Sequence, residues 1–367
     1  ASGFLAIIRR YDGALLFSAL RLMFSRVLPV LRVTMSQKSF DILAVGNAVI
    51  DVFSQCDDDF LRQHAIEKGG MTLIDAATSQ TLFDAVTATA PAELISGGSA
   101  ANTAVGLAAL GGKAAFVGRV HDDDLGAAFC RDIRAAGVTF AATPAADGAP
   151  TASSIILVTP DAARSMNTCL GASIEFQPED IGLSAAADAA MIYLEGYLFD
   201  APAGPAIFAQ AARMAAQHQA RIALSLSDPW CVDRHREAFR LFLTDHVDIL
   251  FANEDEAISL VESDHPTSVQ TLASLVDEVV VTRGPHGAII CHAGQQLSVD
   301  AMPQGPVFDT TGAGDLFAAG YLFGRTHGYN AHLSGQIASL LAGEVISHIG
   351  ARPKADLQAL IAPVLGK

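Results

Sequence analysis

Along most of the chain, short apolar runs alternate with longer stretches whose apolar positions recur at helical spacing. The short runs read as buried strands at 41–45, 114–117, 153–158, 190–194, 222–226, 249–251, 279–281 and 288–292. Amphipathic or alanine-rich stretches at 100–110, 125–136, 203–218, 233–243 and 267–275 predict helices between several of them. Beyond residue 300 two helical signals remain, 315–326 and 331–349. Continuous apolar strands separated by helices predict an α/β fold, a three-layer α/β/α arrangement around a mostly parallel central sheet. Two stretches, 69–75 and 150–173, are β-like but lack a crossover helix, which predicts a small separate β lid over a cleft. Residues 36–367 show no internal repeat, low-complexity tract or linker, so one domain with a lid is expected.

Charge narrows the functions. The net charge of −16 opposes non-specific binding to nucleic acid and to anionic membranes, both of which depend on basic patches. No apolar run reaches the roughly 18 residues of a membrane span. The five cysteines, Cys56, Cys130, Cys169, Cys231 and Cys291, are odd in number and lack the C-x-x-C spacing of zinc or redox sites. They read as thiols in a reducing compartment, and a cytoplasmic location is expected. Residues 1–34 differ from the rest, with Arg9, Arg10, Arg21, Arg26 and Arg32 against the single acid Asp12. Translated upstream sequence, a transit peptide and an amphipathic anchor are the competing readings. The first is preferred, so these residues are expected to lie outside the fold.

In open parallel sheets, ligands bind beyond the carboxyl ends of the strands, where helix N-termini present free N–H groups. Five such junctions carry unusual residues. The strongest is Asp309-Thr310-Thr311-Gly312-Ala313-Gly314-Asp315, which leads into a helix. Small residues at 312–314 let backbone amides approach a developing negative charge, and Asp315 stands where it could accept a proton from an attacking hydroxyl. Gly97-Gly98-Ser99-Ala100-Ala101-Asn102 pairs close-approach glycines with a side chain that both donates and accepts, as sugar hydroxyls require. Gly46-Asn47-Ala48-Val49-Ile50-Asp51 brings a carboxylate to the end of the first strand, where it could grip two vicinal hydroxyls. Asn253 and Glu256 share one side of a turn and could hold Mg2+ through its waters. The segment Thr282 to Gly287 is either a hairpin turn or a nucleotide-contacting loop. Each junction also has a plain structural reading, as a capped helix, a turn or a solvated acid. Gly111-Gly112-Lys113 is not a P-loop, since Leu107 and Ala114 stand where Gly and Ser or Thr are needed, and no Gly-x-Gly-x-x-Gly follows the first strand. A dinucleotide-dependent oxidoreductase is therefore remote. His121-Asp122-Asp123-Asp124 reads as a loop and helix cap, not a metal site.

Taken in order over residues 40–352, these junctions resemble the ribokinase-like (PfkB) family of sugar and nucleoside kinases. Within it the chain looks most similar to adenosine kinases, bacterial ones in particular, through Val45 to Asp51, Arg164-Ser165-Met166-Asn167-Thr168 and Asp248 to Glu254. The resemblance implies a ribokinase-like domain over 35–367 with lid segments near 49–56, 69–75, 90–96 and 150–173. It implies Asp315 as base, Gly312, Ala313 and Gly314 as anion hole, and Arg164 approaching the transferring phosphoryl from the lid. Asp51, Gly97, Gly98 and Asn102 would bind the ribose with Asn47 nearby, and Tyr197 would stack on a purine or serve as a core aromatic. Asn253 and Glu256 would organise Mg2+, while Thr282, Gly284, Gly287 and Thr310 would line the ATP site. ATP and Mg2+ are the implied cofactors, with a monovalent cation as a further option, and a monomer or homodimer is expected. The implied reaction is phosphorylation of the ribose 5′-hydroxyl of adenosine. Thr311 stands where many nucleoside-specific members have Asn, and Val49 where a larger apolar residue is commoner, which keeps a free sugar or another nucleoside in play. An inactive nucleoside-binding regulator is the rival from another class.

Overall fold

The apolar runs fold as strands, joined by several that carry weaker signals. In the computed structural model, which describes residues 38–366 apart from Ala162, the strands are β1 (Phe40–Val45), β2 (Val49–Gln55), β3 (Met71–Leu73), β4 (Glu93–Gly97), β5 (Ala114–Val117), β6 (Thr139–Phe140) and β7 (Ala152–Val158). They continue as β8 (Arg164–Cys169), β9 (Ala189–Glu195), β10 (Arg221–Ser225), β11 (Ile249–Asn253), β12 (Glu278–Thr282), β13 (Ala288–His292) and β14 (Gln295–Val299). The segment 1–34, expected to stand apart from the fold, lies outside the described residues.

Nine strands form one sheet in the order β14, β13, β12, β11, β10, β9, β1, β5, β6. Pairing is parallel from β6 through to β12 and antiparallel for the last two pairs. Both faces are covered, which is why the strands read as unbroken apolar runs. On β1, Ile42 and Ala44 enter one core with Leu107, Leu316 and Leu341, while Leu43 and Val45 enter the other with Ile207, Phe208 and Phe239. The central sheet is thus the middle layer of an α/β/α sandwich.

Helix ends depart from the periodicity where capping or tertiary bonds intervene. Pro229–His246 begins earlier than the pattern predicts because Asp228 caps it, accepting from the Cys231 amide at 2.6 Å. The last long helix, Ala331–Val345, stops short of residue 349. There the chain peels away to meet residues 308 and 309, with Phe308 N–H to Ile346 O at 2.8 Å and Gly350 N–H to an Asp309 carboxylate oxygen at 2.8 Å. The Thr282–Gly287 segment is a hairpin connection, and a Cβ on Gly287 (φ +75°) would lie 2.0 Å from the Val299 carbonyl oxygen. Asp123 caps the helix that follows it, as its sequence suggests. All five cysteines are free thiols. Among the described residues, no helix is long and apolar enough to cross a membrane.

The lid is a second sheet in the order β3, β8, β7, β2, β4. The helix Ala76–Thr89 covers one face, with Ser79 Oγ 3.1 Å from Ser153 Oγ. Cross-strand register puts Asp51, Ser154, Thr168 and Leu73 in one row of the other face, beside a row of Phe53, Ile156, Met166 and Met71. The chain enters the lid from β1 through residues 46–48 and leaves β4 through Gly97 and Gly98 directly into the helix Ser99–Ala109.

Candidate active site

Two helix N-termini meet beneath the lid. The helix Ala313–Thr326 starts after Gly312, whose φ of +80° suits glycine and whose added Cβ would lie 2.7 Å from the Ala351 Cβ. The Ala313 amide turns back to the Thr310 carbonyl at 3.2 Å. Those of Gly314 and Asp315 have no acceptor within the helix, as its first turn requires, and nothing lies within 4 Å of where a Gly314 Cβ would be. One turn in, the Asp315 carboxylate accepts hydrogen bonds from Ser99 Oγ at 2.6 Å and Asn102 Nδ2 at 2.9 Å, both on the facing helix. Thr103 Oγ1 donates to the Asp315 carbonyl at 3.2 Å. The helices approach closely because Gly106 has no side chain, and a Cβ there would lie 2.6 Å from Leu316 Cδ1. Burial pushes the Asp315 carboxyl above the usual range, opposed by the Ser99 and Asn102 hydrogen bonds and by the Arg352 charge.

Asn102, expected at a sugar, thus holds Asp315 first. Its buried Oδ1 has no partner, and the residue helps to line the cavity described below. Gly98 (φ +98°) must be glycine, since a Cβ would lie 2.1 Å from the Asn47 carbonyl oxygen. Asp51 lies across Gly97, where a Cβ would be 2.5 Å from its Oδ2. Burial raises the Asp51 carboxyl to about 7, with Arg352 opposing and Asp315 reinforcing the shift. Behind this turn, fully buried Glu195 accepts from the amides of Asn47 at 2.7 Å and Ala100 at 2.8 Å, fastening the 46–48 loop to the head of the Ser99 helix. Its carboxyl is likewise raised to about 7 by burial, against the pull of those two amides.

From the lid, Arg164 reaches Asp309, with Nη1 2.6 Å from Oδ1 and Nη2 2.8 Å from Oδ2, a bidentate pair across the mouth of the amide nest. Thr311 adds its amide and hydroxyl to the same carboxylate at 3.1 and 2.7 Å. Burial opposes ionisation of Asp309, but Arg164, the Gly350 amide and Thr311 outweigh it and bring the carboxyl down to about 2.

Asn253 and Thr282 are register partners at the ends of β11 and β12. Asn253 and Glu256 form a reciprocal cap, with Asn253 N–H and Nδ2 donating to the two Glu256 oxygens at 2.9 and 2.7 Å. Glu256 is 5% exposed, and burial raises its carboxyl to about 7. Both Glu256 oxygens accept from Asn253 here, and a cation held nearby through water would favour the ionised form. Gly284 has open space around it, Thr310 is exposed, and Gly287 meets a packing demand of the hairpin. The Tyr197 ring packs, partly buried, against one core, with Asp228 beside its hydroxyl.

A cavity of about 870 Å³ opens between the Asp51 face of the lid and the C-terminal loop, and Asp51, Asn102, Asp132, Phe53, Ile95 and Arg352 help to line it. Four residues here carried no assignment from the sequence. Ser99 and Asp309 lay inside motifs already singled out. Glu195 ends an apolar strand run just as Asp51 follows one, a signal that could have found it. Arg352 sits in a C-terminal loop whose local sequence gives no hint of where it packs.

This geometry has relatives. A probable sugar kinase protein from Rhizobium etli CFN 42 superimposes with a TM-score of 0.80 at 44% identity, covering 90% of this chain and 99% of its own. The adenosine kinase of Sinorhizobium meliloti does so with a TM-score of 0.79 at 43% identity, covering 88% and 98%. The Saccharomyces cerevisiae adenosine kinase is 24% identical over 329 residues, spanning 84% of this chain and 95% of that protein. Residues 64–357 match the model of the pfkB family of carbohydrate kinases, and the chain belongs to that family, a phosphotransferase acting on an alcohol group.

Proposed function

We propose that the protein transfers the γ-phosphoryl of ATP to the ribose 5′-hydroxyl of adenosine, giving AMP and ADP. The observation that carries this reading is the Asp315 carboxylate, held by Ser99 and Asn102 beside the open amides of Gly314 and Asp315. A hydroxyl entering there loses its proton to Asp315 as its oxygen attacks phosphorus in line, and the amide nest takes up charge on the transferred oxygens. Asp51 and the free Oδ1 of Asn102 hold the sugar hydroxyls. Arg164 exchanges Asp309 for the phosphoryl group as the lid closes and excludes water. Asn253 and Glu256 would hold Mg2+, which would supply neutralisation of phosphate charge.

The lid favours a nucleoside over a bare sugar. Met71, Leu73 and Met166 are 59%, 62% and 37% exposed and share the Asp51 face with Phe53 and Ile156. An apolar row of that extent suits a nucleobase laid against it, whereas a free pentose would leave it uncovered. Similarity to the Sinorhizobium meliloti enzyme supports the same reading. Thr311 and the equally close Rhizobium etli protein support a second one, a free sugar as acceptor. ADP release with adenosine, inosine, ribose and fructose separates the two. We expect the highest kcat/KM for adenosine, and a higher value for either free sugar overturns the assignment.

A further inference from the structure

The C-terminal loop contributes more than a wall to the cavity. Gly350 binds the Asp309 carboxylate of the anion-hole motif. Two residues on, Arg352 enters the acceptor side. Its Nε donates to the Ser96 carbonyl at 3.0 Å, Nη2 to the same carbonyl and to Ser96 Oγ, and Nη1 to the Ala101 carbonyl at 3.4 Å. Those carbonyls flank the Gly97-Gly98 turn, against which Asp51 lies. We propose that Arg352 is a positioning residue for acceptor phosphorylation, a fixed cation that lets Asp51 and Asp315 act together as carboxylates in one recessed site. The inference rests on the reading of Asp315 as base and Asp51 as hydroxyl holder.

The charges around the site explain why such a cation is needed. Asp51 comes from β2, Asp315 from the Ala313 helix, Asp132 from the helix Asp124–Ala135 and Glu195 from β9, while Glu93 and Lys354 stand at the cavity wall. Asp132 accepts from the Ser96 amide at 2.8 Å and from Ser96 Oγ, so it flanks the guanidinium. Like charges gathered in one buried site disfavour one another's ionisation. Asp315 pushes both Asp51 and Glu195 upward, and Arg352 opposes the rise of both Asp51 and Asp315. Burial lowers Arg352 itself to about 10, with Asp132, Asp51 and Asp315 opposing, so it stays a cation at neutral pH. A simple tether at the hinge would need the hydrogen bonds and not the charge, which separates the two roles.

The test is the pH profile of kcat/KM for the full chain, read with whichever acceptor the wild type turns over. Arg352→Gln should move the acidic limb to higher pH by about 1 unit, the low end of what an adjacent opposite charge does to a carboxylate. Arg352→Lys should lower activity, because it cannot reproduce the forked contacts, yet leave that limb where the wild type has it. Should Arg352→Gln fail to fold, Asp132→Asn gives the opposite sign, since removal of a competing carboxylate moves the limb to lower pH. An Arg352→Gln enzyme that loses or keeps activity evenly across pH overturns the proposal, as does an unmoved limb in Asp132→Asn. A wild type that prefers a free sugar overturns the adenosine assignment alone, because the limb is then read with that sugar.

Discussion

At the scale of single residues, the site works by giving each reactive side chain partners that limit what it can do. Asp315 has both oxygens engaged by donors on the neighbouring helix, which aims the remaining lone pairs and resists protonation. Asp315→Asn preserves shape and the Ser99 contact while removing the proton acceptor. It should leave acceptor binding intact and lower kcat by roughly 10²–10⁴, the usual effect of losing a general base. Single-turnover kinetics beside acceptor titration checks this, and turnover near wild type would remove Asp315 from its role. Arg164 presents a different case, since its partner at rest is Asp309 and its proposed partner in the reaction is the phosphoryl group. Arg164→Ala should lower kcat by about 10² with a smaller change in acceptor KM, as for other donors used chiefly in the transition state. An increase confined to KM would mean that Arg164 only holds substrate.

Elements differ in how plainly the chain announces them. The central strands were legible because burial on both faces makes each an unbroken apolar run, as in Ile42 to Val45. Lid strands have one open face and mix residues accordingly, so β2 with its Asp51, Ser54 and Gln55 reads from sequence as little more than the end of a junction. The helices Asp58–Gln63 and Ala76–Thr89 were hidden by the same mixed composition. Junction glycines, in contrast, stood out because backbone geometry leaves few alternatives. Pairings between distant segments could not be read at all. Glu195 on Asn47 and Ala100, Arg164 on Asp309 and Arg352 on Ser96 all depend on how the layers stack, and no local pattern encodes that. Gly98 shows how sharp the local demand is. Gly98→Ala would set a methyl 2.1 Å from the Asn47 carbonyl oxygen at a left-handed φ. It should destabilise the protein by more than about 1 kcal/mol, read as a lowered Tm, and raise acceptor KM because the turn carries Asp51 against Gly97. Unchanged stability would show that the turn can adopt another path.

For the whole molecule, the same carboxylates that make the site link its stability to pH. Asp51, Glu195 and Glu256 are each raised by burial to about 7 from ordinary values near 4. Between those limits the folded protein holds protons that the unfolded chain has released. Their contribution is therefore complete below about pH 4 and lost as pH rises through about 7, with a slope of at most about 1.4 kcal/mol per pH unit for each group. Asp309 runs the other way, since its carboxyl is lowered to about 2 and its contribution disappears only as pH falls from about 4 toward that value. The net charge of −16 adds self-repulsion that also eases on acidification. Tm without ligands should consequently fall as pH is raised from about 4.5 to about 7.5, and Glu195→Gln should flatten the slope by removing one of the three groups. Catalysis needs the opposite protonation state, because Asp315 must be ionised to accept a proton. Under the proposed binding mode, Mg2+ near Glu256 and hydroxyls donated to Asp51 would favour the ionised forms, so ligands should stabilise the protein more at pH 7.5 than at pH 4.5. Thermal melts across that range, with and without ATP, Mg2+ and acceptor, measure both slopes. A ligand-free Tm that is level or rises with pH would mean that these carboxyls are solvated in the native state and not buried as described above.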